Sequence, residues 1–417
     1  MVTPFLTVTI SREQHDMVRI KPQLTKTARV RRHLLNVLAI ALTLELCSRA
    51  FVPEQFEMVV RDLEVGRTLV KNLDRDFYNN ESRRLIRVKT NSLGFRGADP
   101  EVPKPAGVRR VVVLGDSFIS ALQVEADESM CSQLEDLLNE SSSDVLWEVL
   151  NFGVTGSGTA DQHVRYLETI RKLEPDIVLV GFGMGTDPVD NNPKLSNSPL
   201  VHYDFDETGE LKMIPDSAVS ANTANVLNRS SRFYIWQKGI TNRIIKSIRN
   251  RAGWFDKRDR IYLEPAPEEI EYSWRLTEAI LERFHADVSY DGVEFHVVTI
   301  PSSREIYRDL IEDLEAEGRA AGLTQEFNQN LPLERITGIC QRHEIPFIAL
   351  EPGFRAHAPE LNSRLEDQRL FFNGHGHMNV KGNRVAAELI AAQLLISDRS
   401  RSAPPQIADE IERLKLR

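Results

Sequence analysis

From residue 110 onward, short unbroken apolar runs alternate with longer stretches of helical spacing. Residues 110–114 (RVVVL), 147–152 (WEVLNF), 177–182 (IVLVGF), 293–300 (VEFHVVTI) and 347–350 are rich in β-branched residues. They show none of the in–out alternation of a half-solvated strand, which suits parallel strands buried on both faces. Helical spacing occupies 127–138, 160–173 and 333–343, and a last helix follows Gly382. Strands and helices in strict alternation imply βαβ units with right-handed crossovers. The pattern therefore predicts an α/β fold, a three-layer doubly wound parallel sheet.

The regular order breaks between residues 192 and 291. Residues 202–214 (HYDFDETGELKMI) alternate around Glu207-Thr208-Gly209 and predict a β-hairpin, while 232–249 and 268–284 predict helices. About a hundred residues are too many for an ordinary crossover, so 192–291 is expected to be an inserted cap. The α/β body is then 109–191 together with 292–397. Residues 54–108 form a connector and lead-in, and 398–417 a charged tail.

The N-terminus differs from the rest. Residues 1–32 hold seven Lys/Arg against Glu13 and Asp16, a formal +5, and the run LLNVLAIALTL follows at 34–44. Extended to Pro53 it reaches spanning length but takes in Asn36, Glu45 and Arg49. Each of those two charges costs roughly 2.5–3.5 kcal/mol near the bilayer centre. With basic residues only upstream, 34–53 is read as an uncleaved membrane anchor with the remainder periplasmic or extracytoplasmic. A cytoplasmic protein with an amphipathic helix is the alternative reading.

The net charge of −9 and pI of about 5.7 give no electrostatic reason to expect a nucleic-acid partner. Cys47, Cys131 and Cys340 form no CxxC pair and no zinc-site spacing. A Cys131–Cys340 disulfide is conceivable in an exported protein, but buried thiols are the expectation.

Four short segments could carry chemistry, each at a strand end or helix start. Gly115-Asp116-Ser117 closes the first strand, where a glycine permits a tight turn and a serine hydroxyl faces outward. Asn151-Phe152-Gly153 closes the second, and Gly185-Thr186-Asp187 follows the third. His377-Met378-Asn379 precedes the final helix, placing a histidine at the same sheet edge as Ser117.

This ordered series resembles the SGNH/GDSL hydrolase superfamily, whose successive blocks carry Ser, Gly, Asn and His. Ser117, Gly153 and His377 match three of these, and Gly185-Thr186-Asp187 stands where the family has Gly-Asn-Asp. The run at 91–97 (NSLGFRG) and the basic-then-apolar beginning are similar to membrane-anchored bacterial members. The resemblance covers about 85–397. It implies a flavodoxin-like sheet and acyl transfer on an ester, with Ser117 as nucleophile, His377 as base and no metal or organic cofactor. The oxyanion donors it implies are the backbone N–H groups of Ser117 and Gly153, with Thr186 as a possible third. The substrate would be a small-molecule or glycan ester, the enzyme an esterase or deacetylase. A carbohydrate O-acetyltransferase of the same fold and a noncatalytic glycan-binding relative are the alternatives.

Two departures stand out. Thr186 replaces the family's Asn, and the acid that usually precedes the histidine by two or three residues is missing, with Gly374 and His375 in its place. The orienting group is left open among Asn373, His375, Asp367 and Glu351, or a backbone carbonyl.

Overall fold

The computed structural model describes residues 26–51, 58–62, 65–142, 145–196, 201–215, 255–374 and 376–402, with isolated residues between 233 and 244. The helix expected at 232–249 and the tail from 403 on lie largely outside these. The chain divides into two units, 1–52 and 53–417.

In the first unit, helix α1 (Lys26–Phe51) contains a 21-residue stretch, Val30–Ala50, long and apolar enough to cross a membrane. At about 1.5 Å per residue it matches a hydrocarbon core of roughly 30 Å. Arg49 Nε donates to Glu45 Oε1 at 2.8 Å, one helical turn apart, so these two charges near its far end offset one another.

The second unit is built on five parallel strands: β5 (Val108–Gly115), β6 (Leu146–Gly153), β7 (Ile177–Gly183), β10 (Glu294–Ile300) and β11 (Phe347–Ala349). Here β8 (Val201–Phe205) and β9 (Leu211–Pro215) are the expected hairpin, paired antiparallel. The sheet order is β11-β10-β7-β5-β6. β5 pairs with β6 through Gly115↔Gly153 and with β7 through Leu114↔Val180. Because the chain leaves β5 first to one side and then to the other, the switch point lies between β5 and β7. Their carboxyl ends flank the crevice in which doubly wound sheets bind ligands.

Both sheet faces are covered, which is why the strands read as unbroken apolar runs. Val112, Leu114, Val178, Val180 and Phe182 pack on one side with α4 (Thr159–Glu168), α6 (Glu268–Tyr290) and α8 (Leu331–Arg342). Val111, Val113, Ile177 and Leu179 pack on the other with α3 (Met130–Ser141) and α9 (Val380–Ser402). This is the three-layer α/β arrangement that the pattern predicts. Cys131 and Cys340 are free, buried thiols on opposite faces of the sheet, which rules out the disulfide.

One boundary differs from expectation. Ile270, Trp274, Leu281, Phe284 and Val288 of α6 belong to the sheet's core, so α6 is the crossover from β7 to β10. The interruption narrows to 192–267. The helix was assigned to a cap because it follows an irregular stretch, yet its apolar face has the sheet to cover.

The lead-in is ordered rather than a mere connector. Hairpins β1 (Val59–Asp62) with β2 (Gly66–Leu69) and β3 (Asp74–Asn79) with β4 (Arg84–Lys89) enclose Met58, Leu69, Ile86, Val88 and Leu122. Downstream, the buried Arg96 guanidinium donates to the carbonyls of Ser120, Ala121 and Val124. The guanidinium thereby ties together the carbonyls of the segment that follows the β5 turn, and burial lowers the Arg96 pKa to about 10.

Candidate active site

The turn after β5 is shaped by its glycine, since a Cβ on Gly115 would overlap Ile119 of the next turn. Asp116 caps the short helix α2 (Ser117–Ser120), its Oδ1 accepting the Phe118 N–H at 2.8 Å. Ala121 closes the turn in the left-handed region at φ 47°, its N–H donating to Ser117 O. Ser117 is thus presented, half-buried, at the carboxyl edge of the sheet.

His377 reaches it from the segment before α9. A β-bridge between Phe371 and Met378 and the Phe372 N–H to His377 O bond at 2.9 Å fix the backbone. Asn379 Oδ1 accepts the Gly382 N–H at 2.9 Å, bracing the start of α9. The imidazole lies against the Phe118 ring, centroids 5.0 Å apart. Its Nε2 is 2.7 Å from Ser117 Oγ.

On the other side of the ring stands a residue that sequence reasoning did not single out. Glu81 Oε2 is 2.7 Å from His377 Nδ1, and Glu81 Oε1 accepts the His377 backbone N–H at 2.6 Å. An ionised carboxylate only accepts, so this network assigns the ring proton to Nδ1 and leaves the Nε2 lone pair toward the serine hydroxyl. Glu81 sits in the turn between β3 and β4. Its only sequence signal is turn chemistry, Asn79-Asn80-Glu81-Ser82 between two strand patterns.

Two expected oxyanion donors are already engaged. The Gly153 N–H donates to Asn151 Oδ1 at 3.0 Å. This glycine serves packing instead, because a Cβ there would overlap the backbone of Ile119 and Ser120. The Thr186 hydroxyl is directed at Asp116 Oδ2 (3.3 Å) and Gly183 O (3.4 Å). Among the described residues, the backbone N–H groups at this edge with no acceptor include those of Ser117, Thr155 and Gly156.

Asp187 is fully buried, and its Oδ2 accepts from Gly183 N, Thr159 Oγ1 and Gln162 Nε2 at 3.3–3.5 Å. Burial, and then repulsion from Asp116, holds its carboxyl well above the ordinary range. It pins the β7 end to α4 and makes no bond to Ser117 or His377. Asp116 is likewise raised, burial outweighing the Phe118 N–H, the nearby His377 and Thr186.

Of the expected orienting groups, Glu351 is buried on Thr299 Oγ1 (2.8 Å), and Asp367 gives its carbonyl to Lys381 (2.9 Å). Asn373 donates to Glu81 O at 3.3 Å, supporting the acid rather than the ring. His375 lies outside the described residues. No cluster of three or more His, Cys, Asp or Glu side chains able to hold a metal occurs among the described residues.

No family model matches this chain, and neither does any curated protein. Solved structures similar to it include LAE5, an alpha/beta hydrolase enzyme from the metagenome of Lake Arreo, Spain. The TM-score is 0.38 at 13% identity, covering 68% of this chain and 94% of that one. The acetyl xylan esterase AlAXEase gives 0.38 at 12%, covering 68% and 98%. The lipase/acylhydrolase from Enterococcus faecalis gives 0.36 at 12%, covering 69% and 95%.

Proposed function

We propose that this chain is a serine hydrolase of the SGNH/GDSL type acting on carboxylic esters. The observation that carries the reading is the 2.7 Å contact between Ser117 Oγ and His377 Nε2, at the switch point of a doubly wound sheet.

In this mechanism His377 Nε2 takes the hydroxyl proton as Ser117 Oγ attacks the ester carbonyl. The tetrahedral oxyanion is held by the Ser117 N–H and by the unpaired N–H groups of the 155–156 turn. Collapse breaks the bond to the alcohol, which leaves with the proton from Nε2, and the acyl group stays on Ser117. A water then gives a proton to His377 as its oxygen bonds to the acyl carbon; the bond to Ser117 Oγ breaks, Nε2 returns the proton to Oγ, and the carboxylic acid leaves. An esterase or deacetylase acting on a small-molecule or glycan ester fits this sequence of steps. Transfer to a sugar hydroxyl differs only in the acceptor.

The chain division, amended by the place of α6, is a body of 109–191 and 268–397, an inserted region at 192–267, and a lead-in at 54–108. The α1 helix serves as a membrane anchor with the basic segment cytoplasmic and the catalytic unit outside.

A fluorophosphonate probe tests the chemistry. Wild-type protein should label at Ser117 and hydrolyse a short aryl ester, and Ser117→Ala should do neither while keeping its fold. Wild-type protein that takes up no probe and turns over no ester would leave a noncatalytic binding module as the reading.

A further inference from the structure

We propose that Glu81 is the positioning carboxylate of His377, so that a hairpin of the lead-in completes the active site. The inference rests on the reading of Ser117 and His377 as nucleophile and base.

The grip is two-handed. Oε1 takes the backbone N–H of His377 and Oε2 faces Nδ1 of the same residue, so one carboxylate fixes both the peptide plane and the ring. Such a group holds the imidazole in the tautomer that can accept a proton at Nε2, and it stabilises the imidazolium that results. The contact is only partly open to solvent, with side-chain exposures of 28% for His377 and 24% for Glu81, so water screens it incompletely.

The acid is itself held from several directions. Asn79 Oδ1 accepts the N–H groups of Glu81 and Ser82 at 2.9 and 3.0 Å, which sets the turn. Asn79 Nδ2 donates to Leu122 O at 3.3 Å, tying the turn to the loop that follows the nucleophile helix. Arg84 pairs with Glu128 through both guanidinium nitrogens, at 2.8 and 3.1 Å. From the histidine side, Asn373 Nδ2 donates to Glu81 O. The carboxylate also needs room beside His377, and Gly376 supplies it at φ +110°, where a Cβ would overlap Glu81 Oε1.

Asp116 is the other acidic group that His377 senses, but its bonds go to Phe118 N and Thr186 Oγ1, not to the ring. The family's usual acid position before the histidine is therefore not left without a substitute. Its work falls to a residue that lies before the first sheet strand.

The test uses the full-length protein with Glu81→Gln, Glu81→Asp and Glu81→Ala. Glu81→Gln should lower kcat by about 10²–10⁴ while KM stays within about threefold, because the lost contact acts through the base. The acidic limb of its kcat/KM profile should move to lower pH, since the imidazolium loses a partner while Asp116 remains. Glu81→Asp should recover part of the rate. In proton NMR the wild type should show a strongly deshielded Nδ1 proton assigned to His377, absent in Glu81→Gln. Unchanged turnover and pH limb in folded Glu81→Gln would overturn the assignment. If wild-type Ser117 takes no fluorophosphonate, the acyl-transfer reading fails. The Nδ1 proton then still decides the role of Glu81, and its absence from wild type or its persistence in Glu81→Gln overturns the proposal.

Discussion

Gly376 and Glu81 are complementary: the one lacks the atom that would fill the space the other's carboxylate occupies. Gly376→Ala should therefore damage the site without touching any reacting group. The methyl must displace Glu81 Oε1, and alanine at φ +110° adds about 1–2 kcal/mol of backbone strain. Turnover should fall by at least about 10². In a double-mutant cycle with Glu81→Ala the two losses should be far from additive, since each removes the same contact. Additive losses in kcat/KM would mean that Gly376 acts on something else.

Detachment of the anchor gives a second expectation. Residues 1–52 form one unit and 53–417 another. Full-length protein should stay with membranes through alkaline carbonate extraction, whereas a chain beginning at Pro53 should be soluble and keep its ester turnover within about threefold. The body should also be open to protease from the outer side in spheroplasts, as the upstream basic cluster directs. A full-length chain found wholly in the soluble fraction would remove the anchor.

The sheet was legible because five apolar runs lie between helical patterns, and burial on both faces leaves no other residue types for them. Ser117 and His377 were legible for a related reason: each follows or precedes an element whose position in such a sheet is fixed by topology. Glu81 was not. A hairpin turn carries no period linking it to a histidine 296 residues later, and Asn-Asn-Glu-Ser reads as turn chemistry whatever the glutamate does. Gly153 was expected to offer its N–H, and that group is bonded to Asn151 Oδ1 here. From sequence a glycine at a strand end looks the same whether its N–H is free or, as here, bonded to Asn151. The α6 helix was misplaced for want of knowing which surface its apolar face meets.

Two histidines stand two residues apart near the end of the body, and the site distinguishes them. His377 faces Ser117 with Nε2 and Glu81 with Nδ1. His377→Ala should abolish both turnover and fluorophosphonate labelling, with residual catalysis no more than about 10³–10⁴ over water. His375→Ala should keep turnover within about tenfold, because the two ring nitrogens of His377 already face Ser117 Oγ and the Glu81 carboxylate. Inactive His375→Ala beside active His377→Ala, compared on one ester, would exchange their roles.

Glu351 offers a check on electrostatics away from the reacting atoms. It is buried at the end of β11, with Oε2 on Thr299 Oγ1 and no partner on Oε1 among the described residues. Burial pushes its carboxyl up from 4.5 to about 7. A raised carboxyl works against the folded state once the unfolded chain ionises. Below the unfolded value both states hold the proton and nothing is lost. Between about 4.5 and 7 the unfolded state alone loses it, so stability falls as pH rises. Above that window the cost is constant, at most roughly 3 kcal/mol at 1.36 kcal/mol per pKa unit. Glu351→Gln keeps an acceptor for Thr299 and carries no charge. The variant should gain on wild type steadily from pH 5 to pH 8 in urea unfolding, an expected span of order 1–3 kcal/mol. A constant difference across that range would show that Glu351 titrates alike in the folded and unfolded chain.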